Sequence, residues 1–162
     1  MAPKASDWEQ RVSALWASFD DFDEDDFVAA MTELAAELPA DSAVAAFERA
    51  SAFDSTGHEE QAVALYRQAL ERGLDEPRRR RAVIQLASSL RNVGEAEEGV
   101  RLLRAERERG SDELDDAVVA FLALALVDTG QEREAASLLL AALAKHLPRY
   151  QRSAANYARM LV

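Results

Sequence analysis

None of the 162 residues is cysteine. That excludes disulfide frameworks, thiolate zinc sites and cysteine nucleophiles, and it suits a reducing compartment. Long apolar runs are also missing, for no stretch approaches the roughly 20 residues that a bilayer-crossing helix needs. Residues 1–7 lack the basic-then-apolar order of a secretory signal. Together these absences lead to the expectation of a cytoplasmic protein. The sequence has no G-x-G-x-x-G, P-loop or G-x-S-x-G motif, so the common nucleotide-binding and hydrolase signatures are absent. Positive charge is scarce as well: 19 basic against 30 acidic side chains leave a net charge of −11, and lysine occurs only at Lys4 and Lys145. A negative field of that size repels nucleic acid and anionic lipid, which excludes both as expected partners of the whole molecule.

The composition is otherwise that of an ordered domain, with 49% hydrophobic and 30% charged residues. The charge is uneven. Residues 1–42 carry two basic and eleven acidic side chains, whereas the remainder is close to balanced. Trp8, Val12, Leu15, Trp16 and Phe19 recur at helical spacing, and Ser6 with Glu9 has the form of a capping box. Six carboxylates then crowd around Phe22 between Asp20 and Asp26, a run that suits the start of a helix better than its middle. That helix carries Phe27, Met31, Leu34, Ala35 and Leu38, and Pro39 stops it.

Three glycines organise the rest. Gly57, Gly94 and Gly130 each close one amphipathic run and are followed by acidic residues that open another. A recurrence at 37 and 36 residues marks stacked helical hairpins, because one hairpin cannot bury its apolar face alone. In the first unit Ala50, Phe53, Gly57, Ala62, Tyr66 and Ala69 sit where the tetratricopeptide repeat has a small residue, an aromatic, a glycine turn, an alanine, an aromatic and a second alanine. Ala87, Leu90, Gly94, Gly99 and Leu103 form a degenerate second copy, in which Gly99 replaces one alanine and Glu106 the other. A helix-interior glycine costs roughly 1 kcal/mol against alanine, so this helix is expected to be the least stable. Ala123, Leu126, Gly130, Ala135, Leu139 and Ala142 form a third copy closed by Pro148. The chain thus resembles a small tetratricopeptide repeat protein of bacterial type with three degenerate repeats. The surplus over the family's usual 34 residues is expected in the links at Asp75-Glu76-Pro77 and Gly110-Ser111-Asp112.

The resemblance implies an all-α fold, a right-handed α-solenoid of antiparallel helix pairs with about nine helices in one continuous domain. Residues 1–42 would form an acidic hairpin on the array, 43–148 the three repeats, and 149–162 a capping helix bearing Tyr150, Ala154, Tyr157, Ala158 and Leu161. It further implies a non-catalytic scaffold that binds a protein or peptide in a concave groove, lined by the leading helix of each pair. Carried over position by position, the groove comprises Phe47, Ser51, Asp54, Arg81, Ile84, Ser88, Arg91, Asn92, Leu124 and Asp128. The clamp that co-chaperone members use for a C-terminal carboxylate is missing, its places holding Phe47, Ser51, Gln85, Ser88, Ala117 and Phe121. The alternative reading is a regulatory domain that holds a small ligand in the same concavity.

Two charged features and one apolar one stand outside the repeat pattern. Arg78–Arg81 places four cations at a helix start, against the macrodipole, to be neutralised by Asp75 and Glu76 or by the Asp20–Asp26 cluster. His58-Glu59-Glu60 lacks the second histidine of a zincin and reads as a solvent-facing turn, and His146 suits a helix C-terminus. Asp20–Asp26 lacks the pattern of a calcium loop. Neither a catalytic site, a metal site nor a cofactor is expected. The apolar end, Met160, Leu161 and Val162 with Tyr157, is expected to stay partly exposed or to meet a second copy in a homodimer.

Overall fold

A computed structural model describes the backbone of residues 5–162 and the side chains from residue 7 onward. Among the described residues there are nine α-helices, one short 3₁₀ turn and no strand. The chain divides into two compact units, Met1–Gln85 and Leu86–Val162.

In the first unit, α1 (Ala5–Ala17) and α2 (Glu24–Ala35) flank a 3₁₀ turn at Phe19–Asp21. The carboxylate cluster lies where its charge is tolerated. Asp23 caps α2 by accepting the Asp26 N–H at 2.9 Å, and Glu24, Asp25 and Asp26 occupy the first turn, where the macrodipole favours anions. The Ser6 side chain, expected to cap α1 with Glu9, lies outside the described residues.

Trp8, Val12, Phe27 and Met31 join α1 and α2 into a core that Ala52 of α3 (Ala43–Ser55) completes. Its aromatic centre is tight, with Phe27 4.9 Å from Trp16 and 4.7 Å, edge-on, from Phe19. Both indole N–H groups are satisfied: Trp8 donates to the Leu34 carbonyl at 2.8 Å and Trp16 to Glu48 at 3.1 Å. α3 starts at Ser42, whose hydroxyl accepts the Ala45 N–H, and α4 (Glu59–Arg72) returns along it after the Gly57 turn. Alanines 50, 62 and 69 are buried between them and permit the close approach, while Phe47 and Tyr66 fill the space alongside.

α5 (Arg78–Asn92) begins in the first unit and ends in the second. In the second unit α6 (Ala96–Arg109), α7 (Asp115–Asp128), α8 (Glu132–Ala144) and α9 (Gln151–Met160) follow, with α7 packed on α6 and α8, and α9 on α8. Leu90, Leu103, Val118, Leu122 and Leu126 are fully buried and form the core. Gly99 is required there: a Cβ at this position would stand 3.1 Å from the Ala87 carbonyl oxygen, so the glycine lets α6 approach the backbone of α5. α9 is tied to α8 by the Ser137 hydroxyl, which donates to the Ala158 carbonyl at 2.7 Å, and by Arg133, which donates to the Leu161 carbonyl. The links after α4 and α6 span residues 73–77 and 110–114, where the surplus length was expected.

Candidate functional site

The leading helices α3, α5 and α7 carry the side chains expected to line a groove, and burial sorts them. In the first unit Phe47 has no exposed surface, and Ser51 and Ile84 are buried, so all three are packing residues. Phe47 faces the Tyr66 ring on one side and has the Arg81 guanidinium 5.2 Å from its centroid. Ser51 and Asp54 belong to a small network with Tyr66, whose hydroxyl donates to Asp54 at 3.1 Å and lies 3.4 Å from the Ser51 Oγ. Burial, reinforced by the Asp54 charge, raises the Tyr66 pKa far above the usual phenol value and keeps the ring neutral.

In the second unit the expected positions are more open. Ser88 and Arg91 are half-buried, and Asn92 and Asp128 are exposed. Arg91 reaches from α5 to Asp128 on α7, Nε to Oδ2 2.5 Å. α7 is apolar around its whole circumference: Val118, Leu122, Ala123, Ala125 and Leu126 are buried, while Leu124 is 44% and Val127 47% exposed. Ala117 and Ala120 extend this second face at helical spacing. A helix apolar on every side needs cover on every side, and here one face is left partly open at Leu124 and Val127.

The arginine run at the start of α5 resolves differently from either expectation for its whole length. Arg78 pairs with Glu9 at 2.5 Å and lies 3.5 Å from Glu48, Arg79 pairs with Glu76, and Arg80 is buried. The Asp20–Asp26 carboxylates form no ion pair with it. The sequence signal for Glu48 was present but weak: a glutamate among buried positions of α3, satisfied by the Trp16 indole and Arg78.

His58 is half-buried, with its ring edge on Phe53 and its Nδ1 3.0 Å from the Thr56 hydroxyl. His146 meets Asp116 at 2.9 Å, beside Lys145 at 3.2 Å. No group of three or more histidine, aspartate or glutamate side chains among the described residues is placed to hold a metal ion. No described helix is long and apolar enough to cross a membrane. At the end of the chain Tyr150, Tyr157, Met160 and Val162 are exposed, Leu161 half-buried, and Leu139 and Leu143 of α8 also exposed.

Residues 43–161 match the family model described as "Tetratrico peptide repeat". The match extends past the three repeats expected over residues 43–148 and takes in α9. Comparison with curated proteins and with solved structures gives no match.

Proposed function

Since the chain belongs to the tetratricopeptide repeat family, whose members generally mediate protein–protein interaction, we propose that its exposed α7 face docks an amphipathic helix of a protein partner. The observation that carries this reading is the apolar stripe of exposed Leu124 and Val127 and half-buried Ala117 and Ala120, with the Arg91–Asp128 pair at one end. Such a stripe receives apolar side chains spaced three and four apart, and the polar end fixes their register. An open helix face suits a peptide better than a metabolite, which needs walls on several sides. Catalysis is no part of this reading, in keeping with a family of typically non-catalytic scaffolds.

Panning a displayed library of helical peptides against the protein tests it. Peptides with an i, i+3, i+4, i+7 apolar pattern are expected to enrich, and L124E with V127E should weaken them about tenfold or more. Enriched peptides that bind this variant as well as the parent would refute the docking face.

A second reading concerns the C-terminal end. Tyr157, Met160 and Val162, exposed beside Leu139 and Leu143, support self-association of two copies through α8 and α9.

A further inference from the structure

Tyr66, Leu103 and Leu139 hold the same place in the second helices of their pairs, and burial separates them. Tyr66 and Leu103 have no exposed surface, whereas Leu139 is 45% exposed. One turn earlier stand Val63, Val100 and Ala136, the first two buried and Ala136 exposed. α4 and α6 therefore bury a face that α8 leaves open. α9 does not cover it, because α9 lies along the side of α8 marked by Arg133 and Ser137, which donate to the Leu161 and Ala158 carbonyls.

The open residues of α8 and its end share one spacing. Glu132, Ala136, Leu139, Leu143 and His146 follow at intervals of four, three, four and three, the pattern by which one helix seats its side chains between those of another. The stripe is apolar in the middle, with Glu132 at one end and Lys145, His146 and Arg149 at the other. Two such stripes laid parallel would set like charges together at both ends. Turned end for end about a two-fold axis, each sets its glutamate against the other's cations, and the helix dipoles oppose as well.

We propose that this face pairs with the same face of a second copy, the two α8 helices running antiparallel with Leu139 and Leu143 of each at the centre. This rests on the self-association reading given above and adds to it the contact and its direction. The single glutamate selects the direction and leaves the net repulsion between the basic ends in place. The arrangement is closed, so it stops at two copies.

Because the chain has no cysteine, single replacements test the pairing directly. The A136C and L143C proteins are prepared separately and mixed at high salt under mild oxidation. Antiparallel helices bring position 136 of one copy near 143 of the other and keep the two 136 positions about 10 Å or more apart, beyond the reach of a disulfide. The mixed A136C–L143C link is therefore expected to form severalfold faster than the A136C–A136C link. Light scattering before oxidation measures association itself. L139E, at an exposed position, should raise the dissociation constant of the dimer about tenfold or more, and E132R should raise it severalfold. A dimer that links A136C to itself as fast as to L143C, or that L139E leaves unchanged, would overturn the pairing and leave self-association standing. A monomer at every concentration would overturn both.

Discussion

Asp116 accepts from both His146 and Lys145, side chains thirty and twenty-nine positions further along the chain. The hydrogen bond from His146, then that from Lys145, holds the carboxyl below its ordinary range. A depressed carboxylate contributes to folding while it is ionised, so its contribution is complete above the ordinary carboxylate value and is lost as pH falls through its lowered one. Because Lys145 and His146 are exposed and the Asp116 side chain is 45% accessible, salt should screen the effect and its share of stability should be small. In an NMR titration the Asp116 carboxyl is expected to show a midpoint below that of an isolated aspartate, and H146A should move it upward. An unmoved midpoint would assign the depression to Lys145. His146 was read from the sequence as a companion of the helix end, and it does follow α8. Its partner could not be read, because that partner stands on α7 and only the folded hairpin brings it near.

At the scale of the helices, the repeat period located the turns that follow α3, α5 and α7, since Gly57, Gly94 and Gly130 all adopt the left-handed conformation that a turn of this length demands. Gly99 was legible only as a cost. The structure supplies its reason, the 3.1 Å approach to the Ala87 carbonyl. Two effects then oppose each other in G99A: helix propensity gains about 1 kcal/mol, while pressing a methyl group into a backbone oxygen of a packed helix costs about 1–3 kcal/mol. The oxygen belongs to the middle of α5 and has little room to move, so the variant is expected to be destabilised by about 1 kcal/mol in urea unfolding. A gain in stability would mean that α5 yields. Element limits followed capping chemistry that the periodicity did not display. α2 ends at Ala35, four residues before Pro39, and α3 begins at Ser42, whose hydroxyl receives the Ala45 N–H.

For the molecule as a whole, the net charge of −11 opposes the meeting of two copies, and the apolar end of α9 favours it. The C-terminal stretch from residue 135 to 162 contains no acidic side chain but four basic ones, so two such surfaces also repel at low salt. Salt screens both repulsions and leaves the apolar contact intact. Light scattering is therefore expected to show a mass that rises with protein concentration, more at 0.5 M than at about 0.02 M salt, and a chain ending at Arg159 should remain a monomer. An unchanged mass on that truncation would remove the tail as the contact. The fold class was open to a reader of the sequence because alanine and glycine positions repeat in phase. The groove was less so, because the repeat pattern says which helix face turns toward a neighbour but not how deeply. Phe47, Ser51 and Ile84 carry groove positions yet are buried, Phe47 against Tyr66 and Arg81 and Ser51 beside the Tyr66 hydroxyl, whereas Leu124 and Val127 remain partly open.

The bends at Gly57 and Gly130 share a fastening that the middle one lacks. Thr56 and Thr129 each donate a hydroxyl to a carbonyl one turn back, at 2.9 and 3.2 Å, and each is met by the side chain two places on, His58 or Gln131. At the corresponding place before Gly94 stands Val93, which has no hydroxyl to give. The corner joining α5 to α6 therefore keeps the backbone clasp of the other two, the Glu95 N–H on the Leu90 carbonyl at 2.8 Å, and does without the hydroxyl, so that V93T is the substitution that would make all three corners alike.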